Sequence, residues 1–244
     1  MDMNRKQFLG TMLAGVTAGC IPAFACPEKG TSEFEKCRND ILYFVDNYLV
    51  VDDDFYGKLK MIKQQREYLK RISTTPDYFF CAKGRQIGIS TANVVFAYWK
   101  TIFFGPDHLV FVVEPNREMC RRMEEKYSTV SNTGAFMPLP HKVVFITPST
   151  MMANDLFDKN STFILDEFAF YDYSSIDSLS LSHLNDFLAR LIDAAEYQGV
   201  SLSPAKFIVV STPSSGDDQF SMFMHYVNNK KKLVLPSPTR GLKA

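Results

Sequence analysis

The sequence predicts an α/β fold in which a mainly parallel sheet is flanked by helices. Two observations carry this prediction: short, continuously apolar segments recur along the chain, and stretches of helical length separate them. The chain has 244 residues, of which 46% are hydrophobic, so it is long enough to bury a sizeable core. Apolar strands that alternate with helices are typical of βαβ units.

Two helices are predicted before the first strand, because apolar residues recur at helical intervals in FEKCRNDILYFVDNYLVV (34–51) and GKLKMIKQQREYLKRI (57–72). The first strand is DYFFCA (77–82), whose unbroken apolar run indicates burial on both faces. A helix is predicted to follow it at TANVVFAYWKTIFF (91–104). The remaining predicted elements are a strand at 108–113, a helix at 116–130, and strands at 141–147, 161–167 and 205–213.

Charge and cysteine content exclude few classes of function. Lysine plus arginine equals aspartate plus glutamate at 27 each, so no overall positive charge indicates nucleic acid, although a local basic face remains compatible with this balance. The five cysteines form no C-x-x-C pair, which favours buried or free thiols over a zinc site.

The first 30 residues form a separate segment of uncertain role. MDMNRKQFLGTMLAGVTAGCIPAFAC places two basic residues before an apolar stretch and ends in Ala23-Phe24-Ala25, the pattern of a secretory signal with a small-residue cleavage site. The alternative is a short hydrophobic helix that packs on the following domain, because the apolar run is short for a membrane span. No stable membrane association is expected.

A phosphate-binding loop is predicted at KGRQIGIS (83–90), directly after the first strand. Backbone N–H groups at a strand-to-helix turn, together with the helix dipole, form an anion site. Gly88 allows a close approach to phosphate, and Ser90 stands where a P-loop hydroxyl binds magnesium. The usual lysine position holds Ile89, but Lys83 is placed to reach the same phosphates from the other end of the loop. The alternative is an ordinary βα turn that contains a glycine.

Two further strand ends carry polar residues. STFILDE ends in Asp166 and Glu167, the arrangement in which one carboxylate supports magnesium and the next orients or deprotonates the attacking water. VVSTP (209–213) contains Ser211 and Thr212 after its apolar residues, and their hydroxyls are placed to sense a γ-phosphate. Solvated acids at a strand end and a simple turn are the respective alternatives.

KGRQIGIST, FILDEFAF and VVSTPSSG, in this order, resemble the variant Walker A, Walker B and coupling motifs of the large terminase subunits that package DNA in tailed phages. Gln65-Arg66-Glu67 resembles that family's adenine-recognition motif. The resemblance covers roughly residues 34–227 and implies a P-loop NTPase fold.

The resemblance also implies roles for single residues. Lys83 and Arg85 would act on the phosphates, Arg85 as an arginine finger in cis, and Glu167 would be the catalytic carboxylate. Ser90 and Asp166 would support Mg²⁺, and Ser211 and Thr212 would couple hydrolysis to movement. The implied ATP contacts are Gln65, Arg66, Lys83, Gly84, Arg85, Gln86, Gly88, Ser90 and Thr91.

As a terminase-like protein, the chain would hydrolyse ATP with Mg²⁺ to drive double-stranded DNA into procapsids, in the host cytoplasm. Its implied partners are DNA bound without sequence preference, a portal, a small terminase subunit and further copies in a ring. The predicted ATPase domain spans residues 31–230, followed by a short tail at 231–244 and no nuclease domain. A non-hydrolysing remnant and an exported protein with fortuitous motifs are the alternatives.

Overall fold

A computed structural model of the chain describes residues 32–51, 57–58, 60–105, 107–133, 136–139, 142–153, 161–171, 178–193, 205–213 and 219–236. The signal-like segment at 1–30 lies outside these residues, as does most of the tail predicted at 231–244. No helix among the described residues is both long and apolar enough to cross a membrane.

The described helices and strands alternate over most of the chain. Their bounds in chain order are α1 (Ser32–Asn39), α2 (Ile41–Asn47), β1 (Leu49–Val51), β2 (Gly57–Lys58), α3 (Lys63–Thr74), β3 (Tyr78–Lys83), α4 (Ile89–Phe103), β4 (Leu109–Val113), α5 (Arg117–Ser128), β5 (Val130–Asn132), β6 (Val143–Ile146), α6 (Pro148–Ala153), β7 (Ser161–Leu165), α7 (Ser178–Asp193), β8 (Lys206–Ser211), α8 (Gln219–Tyr226) and β9 (Lys232–Leu235). Short 3₁₀ helices lie at Phe168–Phe170 and Asn229–Lys231.

Six strands form the main sheet, in the order β6-β4-β7-β8-β3-β9, and every neighbouring pair is parallel. β1, β2 and β5 form a separate antiparallel sheet. The mainly parallel sheet with flanking helices confirms the predicted fold class. The apolar runs in β3, β4, β7 and β8 arise because both faces of the main sheet are covered.

A hydrophobic core lies on each face of the main sheet. On one face, alternate residues such as Cys81, Val112, Ile164 and Val210 pack with α4 and with the helices before β3. On the other face, Phe80, Phe111 and the other alternate residues pack with α7 and α8. Residues two apart on one strand therefore point to the same face, which decides where the residues at the strand ends project.

The structure differs from the sequence prediction at several places. The helix predicted at 34–51 is two helices, because the Asp40 side chain caps α2 by accepting hydrogen bonds from the N–H groups of Leu42 and Tyr43 at 2.9 and 3.2 Å. Its last residues form β1, which pairs with β5. The next helix begins at Lys63 rather than Gly57, because Gly57–Lys58 pairs with β1.

A further difference concerns β9, which lies within the segment predicted as a tail. Lys232–Leu235 pairs with β3 along its whole length and forms one edge of the main sheet. The sequence gives little sign of it, since the strand is four residues long and follows a run of lysines. The domain boundaries themselves stay a prediction.

Candidate nucleotide-binding site

The three motif-bearing strands are neighbours in the sheet. β8 lies between β7 and β3, so Asp166, Ser211 and Lys83 stand at the carboxyl ends of three successive parallel strands. The carboxyl ends of parallel strands in open α/β sheets are where ligands bind. The order of the sheet therefore brings together motifs that are far apart along the chain.

Alternation along the strands places several of these side chains on one face. Lys83 follows Phe79 and Cys81, Asp166 follows Ile164, and Thr212 follows Val210, all of which face α4. The loop between β3 and α4 closes the same region. Ser211 belongs to the opposite face, and its Oγ accepts a hydrogen bond of 2.9 Å from the N–H of Ala169.

The loop from Gly84 to Gly88 is held at both of its ends. The N–H of Gly84 donates to the carbonyl of Leu235 in β9 at 2.7 Å. Gly88 caps α4 with a φ of 69°, a left-handed conformation that glycine adopts without strain. Ile87 and Ile89 are both buried in the core on the α4 face. Ile89, in the usual lysine position, is therefore part of the core, and Lys83 is the lysine that reaches the site.

Lys83 and Glu167 form an ion pair across the site, between Nζ and Oε1. Only 7% of the lysine side chain and 22% of the glutamate side chain are exposed. Glu167 has a φ of 53°, which a residue other than glycine seldom adopts and which directs this side chain towards Lys83. The N–H of Thr212 lies 3.4 Å from the other carboxylate oxygen, Oε2.

Asp166 is a buried acid beside these groups. One carboxylate oxygen, Oδ1, accepts a hydrogen bond of 3.0 Å from the N–H of Glu167, while the other, Oδ2, is buried without a hydrogen-bond partner among the described residues. Burial raises the pKa of Asp166, as does the charge of Glu167, whereas Lys83 and the nearby Ser90 side chain lower this pKa.

Asp166 and Ser90 fit a bound Mg²⁺. Mg²⁺ in nucleotide sites is held by one or two protein oxygens together with phosphates and water. An orphaned carboxylate oxygen beside a serine hydroxyl at the start of α4 matches this donor set. Within the described part of the chain, no group of three His, Cys, Asp or Glu side chains could hold a metal ion by itself. A nucleotide would supply the remaining ligands.

Glu114 is a residue that the sequence analysis did not single out. It directly follows β4, is only 1% exposed, and its Oε1 is buried without a hydrogen-bond partner among the described residues. Burial raises the pKa of Glu114 to about 9, and the charges of Asp166 and Glu167 add to this effect. The only sequence signal of Glu114 is an acid directly after the apolar run VFVV, and this signal does not distinguish a buried acid from a solvated one at a strand end.

Gln65 and Arg66 make contacts within the chain rather than facing an open site. The Gln65 side-chain amide donates to the carbonyl of Gly88 at 3.0 Å, and its oxygen accepts from the N–H of Ile62 at 3.0 Å. Arg66 donates to both carboxylate oxygens of Asp46. Their predicted contact with adenine stays a prediction, and their observed contacts link α3 to the phosphate loop and to α2.

A cleft of about 480 Å³ opens over the loop, between it and the start of α5. Arg85 and Gln86 are exposed in it, and Gln86 has a φ of 60°. The described residues that line the cleft are Lys83, Arg85, Gln86, Pro115, Asn116, Met119, Glu167, Phe170 and Thr212.

No protein-family model matches the chain, and no curated protein matches it. Among solved structures, the chain is similar to the UvsW helicase from bacteriophage T4, with a TM-score of 0.52 and 12% sequence identity over 95% of this chain and 76% of that one. The chain has an α/β P-loop NTPase-like fold. The helicase MrfA, a DUF1998 protein, is a second neighbour with a TM-score of 0.46 and 10% identity, over 87% of this chain and 33% of that one.

In this P-loop NTPase-like fold, most of the predicted site residues meet at the carboxyl ends of the strands of the main sheet. Lys83, Arg85, Gln86, Glu167 and Thr212 line the cleft. Gly84, Gly88, Ser90 and Thr91 lie in the adjoining loop and first helical turn, where the N–H of Thr91 donates to the carbonyl of Gly88 at 3.1 Å. Asp166 and Ser211 lie beneath the cleft at the strand ends. The roles of all these residues stay predictions.

Proposed function

We propose that the chain is an ATP-hydrolysing motor domain that uses Mg²⁺. The observation that supports this most strongly is the pairing of Lys83 with Glu167 inside a cleft that also contains Arg85 and Thr212. A phosphate-binding lysine and a catalytic carboxylate have to be within reach of the same γ-phosphate. The P-loop NTPase-like fold supplies the loop and the parallel strand ends that this chemistry uses.

The Lys83–Glu167 ion pair determines how the site responds to nucleotide binding. A triphosphate in the cleft carries several negative charges and competes with Glu167 for the Lys83 ammonium, which acts as a flexible point charge. Once Lys83 turns to the phosphates, the Glu167 carboxylate is free to accept a hydrogen bond from water. Glu167 therefore becomes available as a base when substrate is bound.

In the chemical step, a water oxygen forms a bond to the γ-phosphorus while the bond from that phosphorus to the β–γ bridging oxygen breaks, giving ADP and phosphate. Glu167 orients the water and takes up its proton. Lys83, Arg85 and the loop N–H groups stabilise the charge that develops on the phosphate oxygens. A magnesium ion held by Ser90 and Asp166 would add electrostatic stabilisation of the same oxygens.

We further propose that this domain drives double-stranded DNA into phage procapsids in the host cytoplasm. This finer proposal is supported by the order and form of the KGRQIGIST, FILDEFAF and VVSTPSSG segments, which resemble those of large terminases. A portal, a small terminase subunit and further copies in a ring are the partners proposed on the same ground. Contact with DNA would be mainly with phosphates and therefore independent of base sequence.

The test is Mg²⁺-dependent ATP hydrolysis by the full chain, with and without double-stranded DNA. We expect Glu167→Gln to lower turnover by about 10²-fold or more while ATP still binds, because the base is lost. Lys83→Met should weaken ATP binding by about tenfold or more, because it removes a charged hydrogen bond to phosphate. Glu124→Gln and Lys70→Met, which change exposed residues of α5 and α3, are the matched controls.

The outcomes separate the alternatives. ATP binding without turnover by the wild type would favour a non-hydrolysing remnant, and absence of ATP binding would remove the basis of the proposal. The DNA step is tested by triplex displacement, which reports translocation along a duplex, beside strand separation on a forked duplex. Strand separation without triplex displacement would favour a helicase, the activity named for UvsW, over a packaging motor.

A further inference from the structure

Glu114 and Asp166 occupy equivalent positions on adjacent strands. β4 pairs with β7 in parallel, with Val113 opposite Leu165, so the next position on each strand is Glu114 on one and Asp166 on the other. The ladder continues to this point, because the N–H of Asp166 donates to the carbonyl of Val113 at 3.0 Å. Neighbouring parallel strands lie about 5 Å apart, so the two acids begin close together.

The Glu114 and Asp166 side chains also point to the same face of the main sheet. Val112 and Ile164, two residues before Glu114 and Asp166, belong to the core on the α4 side of the sheet, whereas Val113 and Leu165 belong to the other core. Alternation therefore directs Glu114 and Asp166 to the side of the phosphate loop. The same reasoning places Lys83 on this side.

Each acid has one carboxyl oxygen that lacks a partner. Oε1 of Glu114 and Oδ2 of Asp166 are buried and accept no hydrogen bond from the described residues, and both residues are only 1% exposed. Buried polar atoms in native proteins are nearly always satisfied, and an exception commonly marks the place of a water or an ion. Two such oxygens on neighbouring strand ends, on the face of a phosphate loop, point to one shared ligand.

We propose that Glu114 is a positioning residue for hydrated Mg²⁺, accepting a hydrogen bond from a water molecule that the metal ion holds. This inference rests on the proposed function, in which Asp166 and Ser90 support the metal. Mg²⁺ keeps several of its waters in nucleotide sites, and these waters need acceptors. Oε1 can accept such a hydrogen bond whether or not the carboxyl group carries a proton.

The test is binding of Mn²⁺, as a spectroscopic substitute for Mg²⁺, to the full chain in the presence of ADP, measured by electron paramagnetic resonance. We expect Glu114→Met to weaken Mn²⁺ binding by about tenfold, the size of effect typical of groups that support metal ligands. Glu114→Gln, which keeps an oxygen acceptor in the same place, should bind Mn²⁺ nearly as the wild type does. ADP affinity measured in EDTA should be the same for all three proteins.

A structural role predicts a different result. Replacing a buried, unpaired carboxyl by an apolar side chain of similar length tends to leave stability unchanged or raise it, so thermal unfolding of Glu114→Met should show an intact fold. If the folded Met variant binds Mn²⁺ as tightly as the wild type, Glu114 does not position the metal. Glu114→Leu provides the same comparison should the Met variant not fold.

The failure of this inference can be told apart from failure of the proposed function. Wild-type protein that binds neither ADP nor Mn²⁺·ADP would overturn both. Wild-type protein that binds Mn²⁺·ADP, with a Met variant that binds it equally well, would overturn only the role of Glu114.

Discussion

At the scale of single residues, Gln65 acts on the phosphate loop through a hydrogen bond to Gly88. Its amide bridges the start of α3 and the carbonyl of Gly88, which also accepts from the N–H groups of Thr91 and Ala92. A β-carbon added at Gly88 would collide with Nε2 of Gln65. The Gln65 side chain therefore packs directly against the backbone of Gly88 and holds its carbonyl by a hydrogen bond.

We expect Gln65→Ala to weaken the binding of ATP, GTP and tripolyphosphate by similar factors, because a disordered loop binds any phosphate chain less well. Gln65→Glu should act in the same direction, since a carboxylate cannot donate to the Gly88 carbonyl. The measurement is a set of three dissociation constants for each variant, with Gln64→Ala, the neighbouring glutamine of α3, as control. A loss confined to ATP would show instead that Gln65 reads adenine.

The sequence predicts the residues of this site better than their contacts. Lys83, Asp166 and Ser211 can be read from strand-end motifs, because a short apolar run followed by polar residues has few other interpretations in an α/β chain. The Lys83–Glu167 ion pair and the burial of Glu114 cannot be read from the sequence, because they depend on the order of the strands in the sheet. Strand order is set by packing of distant segments, and motif spacing does not report it.

At the scale of elements, β9 supports the phosphate loop from the edge of the sheet. It pairs with β3 as far as Lys83, and its last residue accepts a hydrogen bond from Gly84. The segment that leads into β9 is fixed by Arg71 near the end of α3, whose guanidinium donates to the carbonyls of Asn229, Lys230 and Lys232. Arg71 thus joins α3 to β9, the strand that pairs with β3.

We expect Arg71→Met to destabilise the fold by about 1–2 kcal/mol, because it leaves three carbonyls without a charged donor. Arg71→Lys should recover part of this, because all three hydrogen bonds come from one nitrogen, Nη2, and an ammonium nitrogen also donates, but the lysine side chain is one atom shorter. Urea unfolding of the full chain measures the difference, with Lys70→Met as the control on the same helix. Equal stability of Arg71→Met and wild type would show that β9 is held by its pairing with β3 alone.

The elements show where sequence patterns fail. The buried strands β3, β4, β7 and β8 were predicted because an apolar run covered on both faces is distinctive. The sequence patterns do not predict β1, β2, β5 and β9, because each has four residues or fewer. In addition, β1, β5 and β9 pair with strands that are distant along the chain. Local composition carries little information about such strands.

At the scale of the whole molecule, side chains whose pKa is shifted by burial lie at both ends of the main sheet. Glu114 and Asp166 lie at the carboxyl ends of the strands. At the amino ends, His108 precedes β4 and Lys206 begins β8, while Lys100 lies near the end of α4. Nε2 of His108 and Oγ1 of Thr162 share a hydrogen bond of 3.0 Å.

This arrangement predicts how the free energy of unfolding depends on pH. Burial, together with the charges of Lys100 and Lys206, lowers the pKa of His108 to about 4 from its ordinary value of 6.5. The unfolded chain therefore binds more protons than the folded chain between these two values, and stability falls as pH falls through that window. Above pH 6.5 the histidine is neutral in both states and contributes no slope.

We expect the difference in stability between wild type and His108→Gln to change between pH 7 and pH 5, with the wild type losing more. The comparison removes the contribution of the buried acids, which both proteins share. His183→Gln, a change at an exposed histidine of α7, is the control. Parallel curves for wild type and His108→Gln would show that His108 titrates alike in both states.

The position of β3 in the sheet bears on how the protein is made. β3 leaves the ribosome before the other strands of the main sheet, yet its two neighbours, β8 and β9, are the last two strands described along the chain. Its apolar YFFCA segment therefore has no neighbouring strand on either side until β8 and β9 have been synthesised. Chaperone binding to nascent chains should be strongest in this interval, and the phosphate loop can take its final shape only when synthesis of the described residues is nearly over.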